Sequence, residues 1–278
     1  MPRGASAEFK LSITKALADQ LSDTLAPLQP AKLTVSALSH LQTRPGIYEL
    51  FLNERRVYVG KASQSLPERL SQHSRKISGR SGINIEDMSF VAVYVDEDLD
   101  AAAPEKLLIK KYTAAEDVPW NTNGFGNKDP GRNRDKSMVK AGHFDALYPI
   151  DLDIAMRIQP GVVTLDKLLK EIKSCLPYTF RFPQKGMAQT YKAITATIEQ
   201  NTMSVRDLMP MLVTRLPTQW QATALPGYVI LYKESTDYES ALMWWRIEKG
   251  DLITTTGPRH FAPGRLDSDE FAEEDFSD

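Results

Sequence analysis

Residues 44–62 read RPGIYELFLNERRVYVGKA, and the fold turns on how this stretch is parsed. GIYELFL and RVYVGK are rich in β-branched and aromatic residues, and Asn53-Glu54-Arg55 separates them. Two such runs joined by a short polar turn predict an antiparallel hairpin. The hairpin carries two tyrosine-centred triplets, Gly46-Ile47-Tyr48 and Tyr58-Val59-Gly60, with Lys61 directly after the second.

Downstream, Pro67 fits the first turn of a helix over 66–77. Leu66, Leu70 and Ile77 form its apolar stripe, and Arg69 and His73, four apart, sit together at its edge. Lys76 and Arg80 continue that row. MSFVAVYVD (88–96) reads as a buried strand, and a helix follows over about 101–114. There Glu105 shares a face with Leu108, Ile109 and Tyr112. A carboxylate on a core face is costly unless a cation meets it. An arginine would serve, and so would a divalent ion such as Mg²⁺, which is commonly held by one or two carboxylates plus water and phosphate oxygens. The resulting β-β-α-β-α order over 46–114 predicts a compact α+β module.

Around this module lie an N-terminal helical arm (1–45), with helices expected over 8–24 and after Thr34, and a long loop, EDVPWNTNGFGNKDPGRNRDKSM, which extends the module to 149. The Gly-x-Gly at 124–126 does not open a helix after a strand, so it is a poor dinucleotide fingerprint. Residues 150–257 read as a second α+β region. TLDKLLKEIKSCLP (164–177) and SVRDLMPMLVTRLP (204–217) align at an offset of forty, and GYVILY and ALMWWRIEKGDLITT supply strands. Trp244 and Trp245 belong to the core or to an interface, and Tyr228 is structural. The segment 258–278 is acidic and expected to be disordered.

The net charge of −2 hides an asymmetry. The last twelve residues carry seven acids and no base, so residues 1–266 are +5. Residues 54–80 hold Arg55, Arg56, Lys61, Arg69, Arg75, Lys76 and Arg80 against Glu54 and Glu68. Such a patch is either a solvated basic face or a surface for a polyanion. The single cysteine, Cys175, excludes an internal disulfide and a cysteine zinc site. No apolar stretch is long enough for a signal peptide or a membrane span, so a cytoplasmic location is expected.

The two triplets, Arg69, His73 and Glu105 on this element order resemble the GIY-YIG nuclease superfamily over residues 46–123, with Val59 replacing the usual Ile. YVGKA, LPERLSQH, the AA-x-x-EKLLI pattern and PWNTNGFGNKDPG are similar, more narrowly, to its type II restriction endonucleases that cut GC-rich palindromes such as CCGCGG. The resemblance implies Mg²⁺-dependent hydrolysis of double-stranded DNA by Tyr48, Tyr58, Lys61, Arg69, His73, Glu105 and a loop asparagine, Asn121 or Asn123. Glu105 would be the metal ligand. Tyr48 would act as base or water-orienting group, helped by Lys61 or His73. Arg75, Lys76, Arg80, Arg132 and Arg134 are the candidate DNA contacts. A palindromic target implies a homodimer, for which the helix at 8–24 and the 150–257 region, with Trp244 and Trp245, offer surfaces. A restriction role implies a partner cytosine methyltransferase. A repair or homing nuclease would carry the same triplets, and a catalytically silent DNA-binding protein is the reading from another class.

Overall fold

The computed structural model describes residues 13–95, 102–113, 118–126 and 131–263. Contacts divide the chain into two units, 1–128 and 129–278.

In the first unit, α1 (Ile13–Leu25), β1 (Ala31–Lys32) and α2 (Val35–Leu38) precede the hairpin strands β2 (Gly46–Leu52) and β3 (Arg55–Ala62). Then come α3 (Leu66–Ser78), β4 (Met88–Tyr94), α4 (Ala102–Thr113) and α5 (Pro119–Thr122). The sheet order is β1-β4-β2-β3, with β2 antiparallel to both neighbours and β3 at the edge. This is the expected α+β core. Thr34 caps α2 through a bond from the Ala37 amide, and Ser65 caps α3 by accepting from Glu68 N, with Pro67 in its first turn.

The hairpin turn is tighter than the sequence pattern implies. Asn53 and Glu54 alone form it, both at positive φ (48° and 66°), and Arg55 already belongs to β3. A two-residue turn of this hand matches the strands' twist. It pairs Leu52 with Arg55 and Phe51 with Arg56; then the register shifts, and Leu50 faces Tyr58 while Tyr48 faces Gly60. Val57 is the extra residue of this bulge. Without it Tyr48 would face Val59, and Tyr58 would lie on the opposite side of the sheet.

The two faces have separate covers. On one side Tyr48, Leu50, Leu66, Leu70 and Ile77 are fully buried under α3. On the other, Ile47, Val59, Val91 and Val95 pack with Leu25 of α1 and Leu108 and Tyr112 of α4. Each such side chain contributes about 1.5–3 kcal/mol by leaving water. The N-terminal helix is thus part of this core rather than a separate arm. The part of it expected over 8–12 lies outside the described residues.

The second unit opens with a 3₁₀ turn, Gly131–Arg134, and α6 (Phe144–Leu147). It continues through β5 (Met156–Arg157), β6 (Gly161–Thr164), α7 (Leu165–Cys175), β7 (Thr179–Arg181) and α8 (Ala188–Ala193). After β8 (Thr195–Ile198) and β9 (Thr202–Met203) come α9 (Val205–Arg215), β10 (Trp220–Leu225), β11 (Tyr228–Lys233), β12 (Met243–Glu248) and β13 (Asp251–Thr256). The main sheet runs β13-β12-β10-β11-β7. The forty-residue repeat is real at the level of structure: α7 and α9 are the same length, follow Thr164 and Ser204 at their N-caps, and end at Leu176 and Leu216.

The domain boundary differs from the sequence reading, and of the two places offered for Trp244 and Trp245 the core is the one they take. Residues 131–149 pack with the second unit, because Arg181 reaches Asp135 at 2.7 Å and Ile150 N donates to Pro226 O. The boundary therefore falls after Lys128 and not at 149. Trp245 is 1 % exposed in the second unit's core, and Trp244 is buried in an aromatic cluster with Tyr228, Tyr232 and Tyr238. Neither can anchor a partner without unfolding its own sheet. No helix among the described residues is long and apolar enough to cross a membrane. The acidic tail expected over 258–278 lies, from 264 on, outside the described residues.

Candidate active site

The bulge puts Tyr48, Tyr58 and Gly60 on the α3 face, opposite the helix edge that carries Arg69 and His73. Tyr48 Oη lies 2.6 Å from His73 Nε2, and Arg69 Nε donates to the same oxygen at 3.3 Å. Arg69 also bonds Tyr58. The rings of Tyr48, Tyr58 and His73 stand within 5.5–6.2 Å of one another.

The glycines of the triplets follow from this packing. A Cβ at Gly60 would collide with the Tyr48 ring and hydroxyl, and one at Gly46 with Val93 O and Leu66. Only a residue without a side chain lets strand and helix close over the tyrosine.

Electrostatics define the protonation states. Burial holds His73 well below its ordinary imidazole value, and the charges of Arg69 and Lys76 push the same way. His73 is therefore neutral at neutral pH, and the short contact has the tyrosine hydroxyl donating to a bare Nε2. Burial opposes the charge on Arg69, yet Tyr48 and then Tyr58 raise its value above the usual one, so it stays a fixed cation.

Asn121 closes the open edge of the sheet. Its Oδ1 accepts from Val59 N at 2.9 Å and its Nδ2 donates to Val59 O at 2.8 Å, as a neighbouring strand would. The sequence left Asn121 and Asn123 as alternatives; Asn121 is the one that holds the second triplet. Asn121→Ala should cost about 1–3 kcal/mol in urea unfolding, with two edge bonds lost.

Other candidates are placed differently. Lys61 alternates with Tyr58 and Gly60, so the pleat sets it on the Ile47–Val59 face, away from Tyr48. Arg75 is exposed, Arg80 is only 6 % exposed, and Lys76 donates to Phe125 O at 2.6 Å. Of these three, Arg75 is the most exposed. Glu105 lies on α4, but its side chain is outside the described residues. That helix packs through Leu108 and Tyr112 on the Ile47–Val59 face. Among the described residues no three His, Cys, Asp or Glu side chains cluster as metal ligands.

Sequence reasoning missed Phe125, whose ring stacks on His73, and Arg56, which pairs at 2.9 Å with the buried Glu49 and covers the Tyr112 ring. In the second unit Arg134 bonds Asp145 at 2.8 Å, while Arg132 rests on the Tyr232 ring with its side chain 69 % exposed. Arg134→Ala should destabilise that unit by about 3 kcal/mol, because Asp145 is 4 % exposed. Arg132→Ala should leave the melting temperature unchanged.

The four-strand sheet thus carries a buried tyrosine–histidine–arginine centre where the hairpin meets the edge of α3. Residues 53–176 match the family model described as Eco29kI GIY-YIG domain. The match takes in Tyr58, α3, α4 and the Asn121 segment; the Gly46-Ile47-Tyr48 triplet lies upstream of it. Over these residues the chain is similar to that GIY-YIG domain. No curated protein matches the chain.

Proposed function

We propose that the chain is a type II restriction endonuclease that makes Mg²⁺-dependent, sequence-specific double-strand breaks by phosphodiester hydrolysis. The observation that supports this most is the Tyr48–His73 contact, a hydroxyl aimed at a neutral imidazole beside a fixed guanidinium.

In this reading a water proton passes to Tyr48 Oη as the Tyr48 proton passes to His73 Nε2. The hydroxide so formed attacks phosphorus as the bond to the 3′-oxygen breaks, and the departing 3′-oxygen takes a proton from solvent water, leaving a 5′-phosphate and a 3′-hydroxyl. His73 is the better partner for Tyr48, since Lys61 occupies the other face. Arg69 stabilises the charge that builds on the phosphoryl oxygens. Tyr58 orients water or phosphate, and Asn121 holds Tyr58. Mg²⁺, if held by Glu105, would supply further charge compensation. Arg75 and Arg132 are the exposed ones among the candidate DNA contacts.

Glu105→Ala should abolish cleavage while DNA binding persists, because affinity rests mainly on phosphate and base contacts elsewhere. Gel shift and cleavage on one duplex check this; cutting at a comparable rate would remove Glu105 from the mechanism.

A palindromic site presents the same groups twice, and one centre cuts one strand, so a homodimer on DNA is proposed. A cytosine methyltransferase would protect the host. Cloning and sequencing the ends of fragments from unmethylated plasmids tests the reading: a recurrent palindrome is expected, and scattered ends would favour a repair-type nuclease.

A further inference from the structure

We propose that Phe125 is a positioning residue of the nuclease site, keeping His73 fixed with its Nε2 on the Tyr48 hydroxyl; this rests on the nuclease reading above. The Phe125 ring lies nearly parallel to the His73 imidazole, centroids 4.9 Å apart and planes inclined by 24°. It meets Tyr58 edge-on at 5.1 Å, and Trp120 backs it at 4.8 Å.

The segment that presents this ring is pinned at three points. Asn121 bonds Val59 on the edge strand. Lys76, one turn beyond His73, donates to Phe125 O. At Gly126 the chain passes so close to the Tyr58 hydroxyl that a Cβ there would collide with it. A general loop-packing role would not need a ring laid flat on the one imidazole that touches Tyr48.

The stack has two consequences. Turning the imidazole about its Cβ–Cγ bond would drive its edge into the Phe125 ring, so Nε2 cannot leave Tyr48 without moving the segment. Phe125 also supplies part of the burial that keeps His73 neutral. The other groups facing His73 are Tyr48 from β2, Tyr58 from β3, and Arg69 and Lys76 from its own helix. The segment 120–126 brings no ionisable group.

The test is Phe125→Leu in the full chain, which keeps apolar volume but removes the flat face. Phe125→Met serves in the same way should the leucine variant not fold. The His73 imidazole is titrated by NMR, assigned with His73→Asn, and single-turnover cleavage is followed across pH. Less complete burial should move His73 titration up toward its ordinary value. The acid limb of cleavage should move up with it. At neutral pH kcat should fall about tenfold with KM little changed, as for a misaligned proton acceptor. The proposal is overturned if His73 titrates as in wild type, or if its titration moves while cleavage does not. Should the wild-type chain fail to cut DNA, the nuclease reading falls, and the titration alone decides whether Phe125 holds His73.

Discussion

Tyr48→Phe is expected to fold normally and to lose about a thousandfold or more in single-turnover cleavage, the size of effect seen when a positioned proton-transfer group is removed. The Tyr48 ring is fully buried between β2 and α3, and phenylalanine keeps all of that packing. Only the oxygen goes, and with it the bonds to His73 Nε2 and Arg69 Nε. A buried imidazole nitrogen left without its partner should cost about 1–3 kcal/mol, which urea unfolding will read. DNA affinity should change little, because it rests mainly on phosphate and base contacts elsewhere. Normal binding, modestly reduced stability and lost cleavage together separate a chemical role from a structural one.

Arg69→Lys should be nearly as severe, with cleavage down by about a hundredfold to a thousandfold. The substitution keeps a charge but not its geometry. Arg69 bonds both Tyr48 and Tyr58 and also donates to Gln72, a planar bridge that a point-like ammonium cannot reproduce. Arg69→Ala carries a second signature. Burial is the main reason His73 resists protonation, and the Arg69 charge comes next. Deleting that charge lets His73 take up a proton at higher pH, so the acid limb of any residual activity should shift upward. Stability follows the same sign. Below the ordinary imidazole value the unfolded wild-type chain binds a proton that folded His73 refuses, so wild-type stability falls with falling pH and the variant's falls less.

Much of the first unit is legible in the sequence because its signals are local. Period-two runs, Pro67 and a clean apolar stripe place β2, β3 and α3 to within a residue or two, and Arg69 and His73 fall together by helical spacing alone. The bulge is not legible. A single unpaired Val57 decides whether Tyr58 joins Tyr48 or lies on the far face, and nothing in the string of residues marks it. The same parity moves Lys61 away from Tyr48, against the expectation that the two lie side by side. Long-range contacts are equally hidden: Asn121 meets Val59 across sixty-two residues, and Phe125 meets His73 across fifty-two. In the second unit, helix lengths and caps follow from the repeated Leu-Pro-ended pattern. The burial of Trp244 and Trp245 depends on which strands flank β12, which composition does not encode.

The account stands or falls on whether this centre cuts DNA. The most direct measurement is a digest of unmethylated plasmid by the wild-type chain in Mg²⁺, run beside Tyr48→Phe at equal concentration. Discrete fragments ending in 5′-phosphate and 3′-hydroxyl from the wild type, with intact plasmid from the variant, are the predicted result. Intact plasmid from the wild type across a range of substrates, or equal cutting by Tyr48→Phe, would contradict it.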